Sequence, residues 1–183
     1  NIGILGWGPI GRNHYNMCKE ILKNAINEVY VYDKRTIDIK ENRIKQSKNW
    51  KEVYDNADIF ISCTSSLERY INAVTNSDKL VLDVSLRDFQ YEALECFSRP
   101  FIVDDWNEVN REDTDIEYYA KLGGICENDV INLCDIYKKN LNDYFEKKDT
   151  IFFAPMGMAT FDIAIANYFY KRAIEEKIGI QLD

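Results

Sequence analysis

The chain has 183 residues, 46% of them hydrophobic, and a formal net charge of −8, which is enough for one well-packed domain and too little for two sizeable ones. The acidic balance, with Lys and Arg scattered and forming no basic stripe, speaks against nucleic acid and anionic lipid as partners, and no run of ~18 apolar residues or basic leader reads as a membrane span or export signal. Five cysteines without C-x-x-C spacing suggest neither a disulfide framework nor a zinc site, so the expectation is a cytoplasmic protein with reduced thiols.

Ile2–Gly6 is a short apolar run bounded by glycine, and Ile10–Asn24 carries apolar residues at helical spacing, giving strand, turn, helix. Asn1 is not an initiator Met and the first strand starts with no lead-in, so the chain is expected to be a piece of something longer. Further strands are predicted at EVYVYD (28–33), ADIFISCTSS (57–66), KLVLDVS (79–85), FIVDD (101–105) and TIFFAP (150–155). About six buried strands alternating with helices predict an α/β fold, a doubly wound Rossmann-type parallel sheet, occupying 1–183 as one domain. The last segment, 156–179, reads as one long helix whose first half is apolar almost all round; one stripe is expected to pack on the sheet and the other to seek a further surface.

Three of the eight glycines, Gly6, Gly8 and Gly11, fall in GWGPIG at G-x-G-x-x-G spacing, after a strand and at the opening of a helix. In that context the first glycine makes the turn, the second lets backbone N–H groups approach a pyrophosphate, and the third lets helix and strand pack closely. Pro9 suits the first helical turn, and Ile10 completes the loop. Asp33 stands at the end of the second strand, where an acid accepts hydrogen bonds from an adenosine ribose and repels a 2′-phosphate. That favours NAD over NADP, although Lys34 and Arg35 beside it offer a cation that could compensate for a phosphate.

Together with GWGPIG, the stretches LDVSLRDFQYEAL (82–94), FIVDDWNEVNRE (101–112) and APMGMATFDIAIANYFYKRAIEEKIGIQL (154–182) resemble the ornithine cyclodeaminase/mu-crystallin family. VSLRD, VDDW with NRE, and PMGMA look most like its aminocarboxyethyl-glutamate dehydrogenase branch, which makes 2,3-diaminopropionate for siderophores and related products. The resemblance implies an NAD-dependent oxidoreductase acting on an amino-acid C–N bond, whose oxidation product is an imine open to water; ornithine cyclisation, alanine oxidation and ketimine reduction are the close alternatives, and a non-catalytic dinucleotide- or partner-binding module is the reading of a different class. It covers the family's nucleotide-binding lobe only. The lobe that binds the amino acid, carries most of the carboxylate-binding cations and forms the homodimer has no counterpart here, so the chain alone is expected to be inactive.

Asp88 lies just past the fourth strand, where ligands bind in open α/β sheets, and matches the family's loop acid. It is the candidate for proton handling, or else an N-cap for a helix starting near Phe89. Arg87 is either an anchor for a substrate carboxylate or a solvated loop cation. Thr64, Ser65 and Ser66 close the third strand at the same edge and could meet the adenosine side of the cofactor or cap a helix; Ser85, Leu86 and Met156 are placed along the same cofactor path. Gly157 would let a helix N-terminus approach the nicotinamide, or would serve a close helix–sheet contact. Asp104 and Asp105 are expected to face opposite ways and to bind no metal, and His14 is expected to pack.

Overall fold

The computed structural model describes residues 1–39, 41–74, 78–138 and 140–180. The chain runs β1 (Ile2–Leu5), α1 (Pro9–Leu22), β2 (Val29–Tyr32), β3 (Ile44–Gln46), α2 (Trp50–Asn56), β4 (Ile59–Ser62) and β5 (Lys79–Asp83). It continues through α3 (Tyr91–Leu94), β6 (Phe101–Val103), α4 (Trp106–Val109), α5 (Asp115–Lys121), β7 (Val130–Asn132), α6 (Leu133–Lys138), β8 (Thr150–Ala154) and α7 (Ala159–Glu176).

Among the described residues the strands form one eight-stranded sheet in the order β3-β2-β1-β4-β5-β8-β6-β7, parallel at every pairing. The winding moves outward from β1 through β2 to β3, then returns to start again at β4 on the other side of β1. The carboxyl ends of β1 and β4 therefore part at a topological switch point, where an open α/β sheet leaves a crevice. The sheet has more than the six strands predicted. The additional ones, β3 and β7, are three-residue edge strands in which only Ile44 and Ile131 are buried.

Side-chain alternation along the strands feeds two cores. Ile2, Ile4, Val29, Val31 and Ile61 pack with Tyr15 and Cys18 of α1, whereas Leu5, Phe60, Val81 and Phe152 pack with Val53 and Tyr54 of α2 and with Phe89. Helices thus cover both faces. In the second core the Phe89 and Phe152 ring centroids lie 5.1 Å apart, edge to face, and those of Phe97 and Phe152 lie 4.7 Å apart. This aromatic cluster draws the segment after β5 back under the sheet and buries Asp88 with it.

The terminal helix differs from expectation. α7 spans Ala159–Glu176 and has no buried residue. Neither apolar stripe packs on the sheet: Ile163 is 68% exposed and Phe169 64%.

Candidate functional site

The loop after β1 is built tightly on two of its glycines and openly on the third. Gly6 has φ +84, and a Cβ there would lie 2.3 Å from the Cys63 carbonyl oxygen; one on Gly11 would lie 2.0 Å from the Gly6 carbonyl oxygen. At Gly8 a Cβ would meet only Arg35 Nη2, at 3.7 Å. That is space a ligand backbone can use. Gly8 is the N-cap of α1 and offers no side chain to its amides, and Pro9 opens the helix. The first-turn N–H groups therefore face the crevice with the positive end of a fourteen-residue helix behind them. Ile10 is exposed at its start.

Beside this loop lies an open cleft of about 270 Å³ lined by Trp7, Gly8, Pro9, Arg12, Arg35, Thr36, Ile37 and Asp38. The sequence reading missed four of its features. Buried Trp7 packs its ring 5.7 Å from Tyr15. Its N–H donates to Asp33 Oδ2 at 2.8 Å, and its carbonyl accepts from Arg12 Nη1 at 2.9 Å. Arg35 grips Asp33 through Nε on Oδ1 at 2.9 Å and Nη2 on Oδ2 at 2.8 Å. The guanidinium pulls the Asp33 carboxyl down to about 2, so it stays anionic. Lys34 is exposed beside it. Only the turn chemistry of a strand end signalled these partners in the sequence.

The residues at the far end of the crevice are brought together, but inward. Thr64 N–H donates to Ser85 Oγ at 2.7 Å, and Thr64 Oγ1 donates to Asp88 Oδ1 at 2.6 Å. Asp88 has no exposed surface, and burial raises its carboxyl. It caps no helix, since the N-cap of α3 is Gln90. Thr64, Ser65 and Ser66 cap no helix either: Ser66 Oγ turns back to the Glu68 carbonyl at 2.7 Å, and Ser65 is exposed.

Arg87 is a bridge within the protein and not a free loop cation. It donates from Nη2 to the Glu112 carbonyl at 3.1 Å and pairs through Nε with Asp113 at 3.2 Å. Gly157 serves no tight helix–sheet approach, because a Cβ there would meet nothing within 4 Å; its φ of +87 is what requires glycine. Its N–H is taken by buried Asp104 Oδ2 at 2.6 Å. Asp105 instead caps α4 through the Asn107 and Glu108 amides.

A buried acid cluster under this end was also missed. Asp83 accepts from Ser62 Oγ at 2.9 Å, and burial with the neighbouring Asp115 and Asp88 charges pushes its carboxyl well up. Asp115 accepts from Asp88 N, Phe89 N and Arg69 Nε at 2.7–2.9 Å, and burial raises it to about 6. Asp83, Ser85, Leu86, Asp115 and Met156 line a void of about 10 Å³, room for roughly one water and not for an amino acid.

No family model matches the sequence. The chain is 25% identical over 196 aligned residues to N-((2S)-2-amino-2-carboxyethyl)-L-glutamate dehydrogenase of Staphylococcus aureus, with 100% of this chain and 58% of the relative covered. The resemblance to the ornithine cyclodeaminase family holds along the whole chain. Solved structures agree in fold. The Δ1-pyrroline-2-carboxylate reductase of Thermococcus litoralis, solved with NADH and L-proline, superposes with a TM-score of 0.82 at 21% identity, over 99% of this chain and 60% of that one. A probable ornithine cyclodeaminase of Bordetella pertussis superposes with a TM-score of 0.82 at 18% identity, over 98% and 61%. The chain spans about three fifths of the length of the proteins it matches.

Proposed function

We propose that the chain is the NAD-binding lobe of a cytoplasmic, homodimeric NAD-dependent amino-acid dehydrogenase of the ornithine cyclodeaminase family. The preferred reaction is the oxidation of an N-substituted amino acid to an imine, which water cleaves to release 2,3-diaminopropionate. One observation carries the cofactor: Gly6 and Gly11 are closed by backbone, while Gly8 opens onto a cleft lined by Pro9, Arg12 and Arg35, the residue that grips Asp33. The finer substrate is supported by the similarity, along the whole of this chain, to 58% of the aminocarboxyethyl-glutamate dehydrogenase.

When bound, the nicotinamide supplies hydride transfer at the substrate α-carbon. The chain's own residues bind and orient. The first-turn amides of α1 would hold the pyrophosphate and Asp33 the adenosine ribose, and Thr64, Ser85, Leu86, Met156 and Gly157, at the ends of β4, β5 and β8, would border the nicotinamide. Asp88 handles the proton through the Thr64 hydroxyl that bonds it. Cations for the substrate carboxylate come from the remainder of the enzyme, since Arg87 is engaged with Asp113.

Calorimetric titration with NADH tests this directly, because the chain should bind and Gly8→Val should not. Equal binding by both proteins would overturn the reading. The isolated chain should form no NADH from any amino acid, and measurable turnover would place the substrate site within these residues.

A further inference from the structure

The Asp33 carboxylate has no acceptor to spare. Oδ1 takes the Arg35 backbone N–H and Arg35 Nε, both at 2.9 Å; Oδ2 takes Trp7 N–H and Arg35 Nη2, both at 2.8 Å. A carboxylate has about four lone-pair sites, so a ribose hydroxyl finds none open while this fork is in place. Two of the four donors belong to the loop backbone and stay with it. The other two are guanidinium nitrogens on a side chain that is 73% exposed and can swing away by rotation alone. The same guanidinium borders the space over Gly8, with Nη2 3.7 Å from where a Cβ would stand.

We propose that Arg35 is the specificity-determining residue at the ribose end of the cleft, a latch that must release an Asp33 oxygen on each side before a free 2′-hydroxyl can bond there. Turned outward, the same cation pairs with a 2′-phosphate. The proposal rests on the dinucleotide reading above. Its consequence is that the free lobe discriminates weakly. NAD(H) competes with an internal ion pair for its recognition group, while NADP(H) meets a carboxylate already neutralised and a guanidinium whose planar fork suits phosphate.

The test is calorimetric titration of the chain with NADH and with NADPH, for wild type, Arg35→Ala, Arg35→Lys and Asp33→Ala. Both ligands share the pyrophosphate and nicotinamide, so the ratio of their dissociation constants isolates the ribose end. Wild type should prefer NADH by less than about tenfold, and Arg35→Ala should widen that ratio by a further factor of about ten, the scale of one charged hydrogen bond. Arg35→Lys, which keeps the charge without the fork, should fall between them, and Asp33→Ala should move the ratio toward NADPH. A ratio unchanged in Arg35→Ala, with wild type binding NADH, overturns the latch alone. A wild-type chain that binds neither ligand overturns the dinucleotide reading and the latch with it.

Discussion

Asp115 holds Asp88 by its backbone: Asp115 Oδ2 accepts the Asp88 N–H at 2.8 Å and the next N–H, of Phe89, at 2.9 Å. The loop carrying the candidate acid is thereby hung from a buried carboxylate whose other oxygen pairs with Arg69. Burial lifts that carboxyl from 3.8 to about 6 in the folded chain. A folded-state value above the unfolded one means that the native state keeps the proton longer. The contribution is whole below about pH 3.8 and is lost as the pH rises through about 6. It amounts to on the order of 3 kcal/mol across that window. Urea unfolding of wild type and Asp115→Asn between pH 4 and 7 should show the stability difference between them drifting by about this much. Parallel curves would dismiss the assignment.

Gly8 and Gly11 of the loop should behave differently. Gly11→Ala drives a methyl against the Gly6 carbonyl, a backbone atom that cannot step aside, and should cost about 1–3 kcal/mol. Gly8→Ala meets only the tip of Arg35 and should stay within about 0.5 kcal/mol of wild type. Thermal unfolding of the two variants side by side decides it, and a Gly8→Ala loss as large as that of Gly11→Ala would mean that the loop is closed at both positions.

Lys79, 5% exposed at the start of β5, donates from Nζ to the Tyr54 and Ala57 carbonyls at the end of α2. Its ammonium also lies 4.7 Å from the Tyr54 ring centroid. Lys79→Met keeps the stem but leaves two buried carbonyls short of a donor, at a cost of about 1–3 kcal/mol. Denaturant titration of the variant measures this, and an unchanged midpoint would show that water replaces the ammonium.

α7 presents Phe161, Ile163, Ile165, Phe169 and Ile174 to solvent, each at least 43% exposed. Contiguous apolar surface of this kind marks an interface, so the chain should self-associate, and Ile163→Gln with Phe169→Gln should reduce the association without changing the fold. Light scattering with a matching circular dichroism spectrum reads both, and a monomeric wild type would sink the expectation.

The strands β1, β2, β4, β5, β6 and β8 were legible in the sequence because each carries a run of apolar residues closed by a turn or an acid. β3 and β7 were not, since an edge strand of three residues with one buried side chain leaves no periodicity to read. The places of GWGPIG and Asp33 in the fold were legible for a similar reason: one follows β1 and the other follows β2 of a single β1–α1–β2 unit. Asp83, Asp115 and Arg69 act through contacts between residues up to 46 positions apart in the chain, which no spacing rule encodes. The latch on Asp33 was hidden differently. Arg35 was noticed as a charge, but its direction depends on how the loop turns after β2.

The joint between β8 and α7 has a mechanical consequence. Eighteen helical residues make a rod roughly 27 Å long at ~1.5 Å per residue, fixed at its root by the Asp104 bond to Gly157. Pro155 and Met156, just ahead of that joint, are walls of the void that holds Asp83 and Asp115. The rod has its long arm in solvent and its root beside those two residues. A body that grips the free end and tilts it therefore loads the short joint whose Pro155 and Met156 also wall the void beside Asp83 and Asp115.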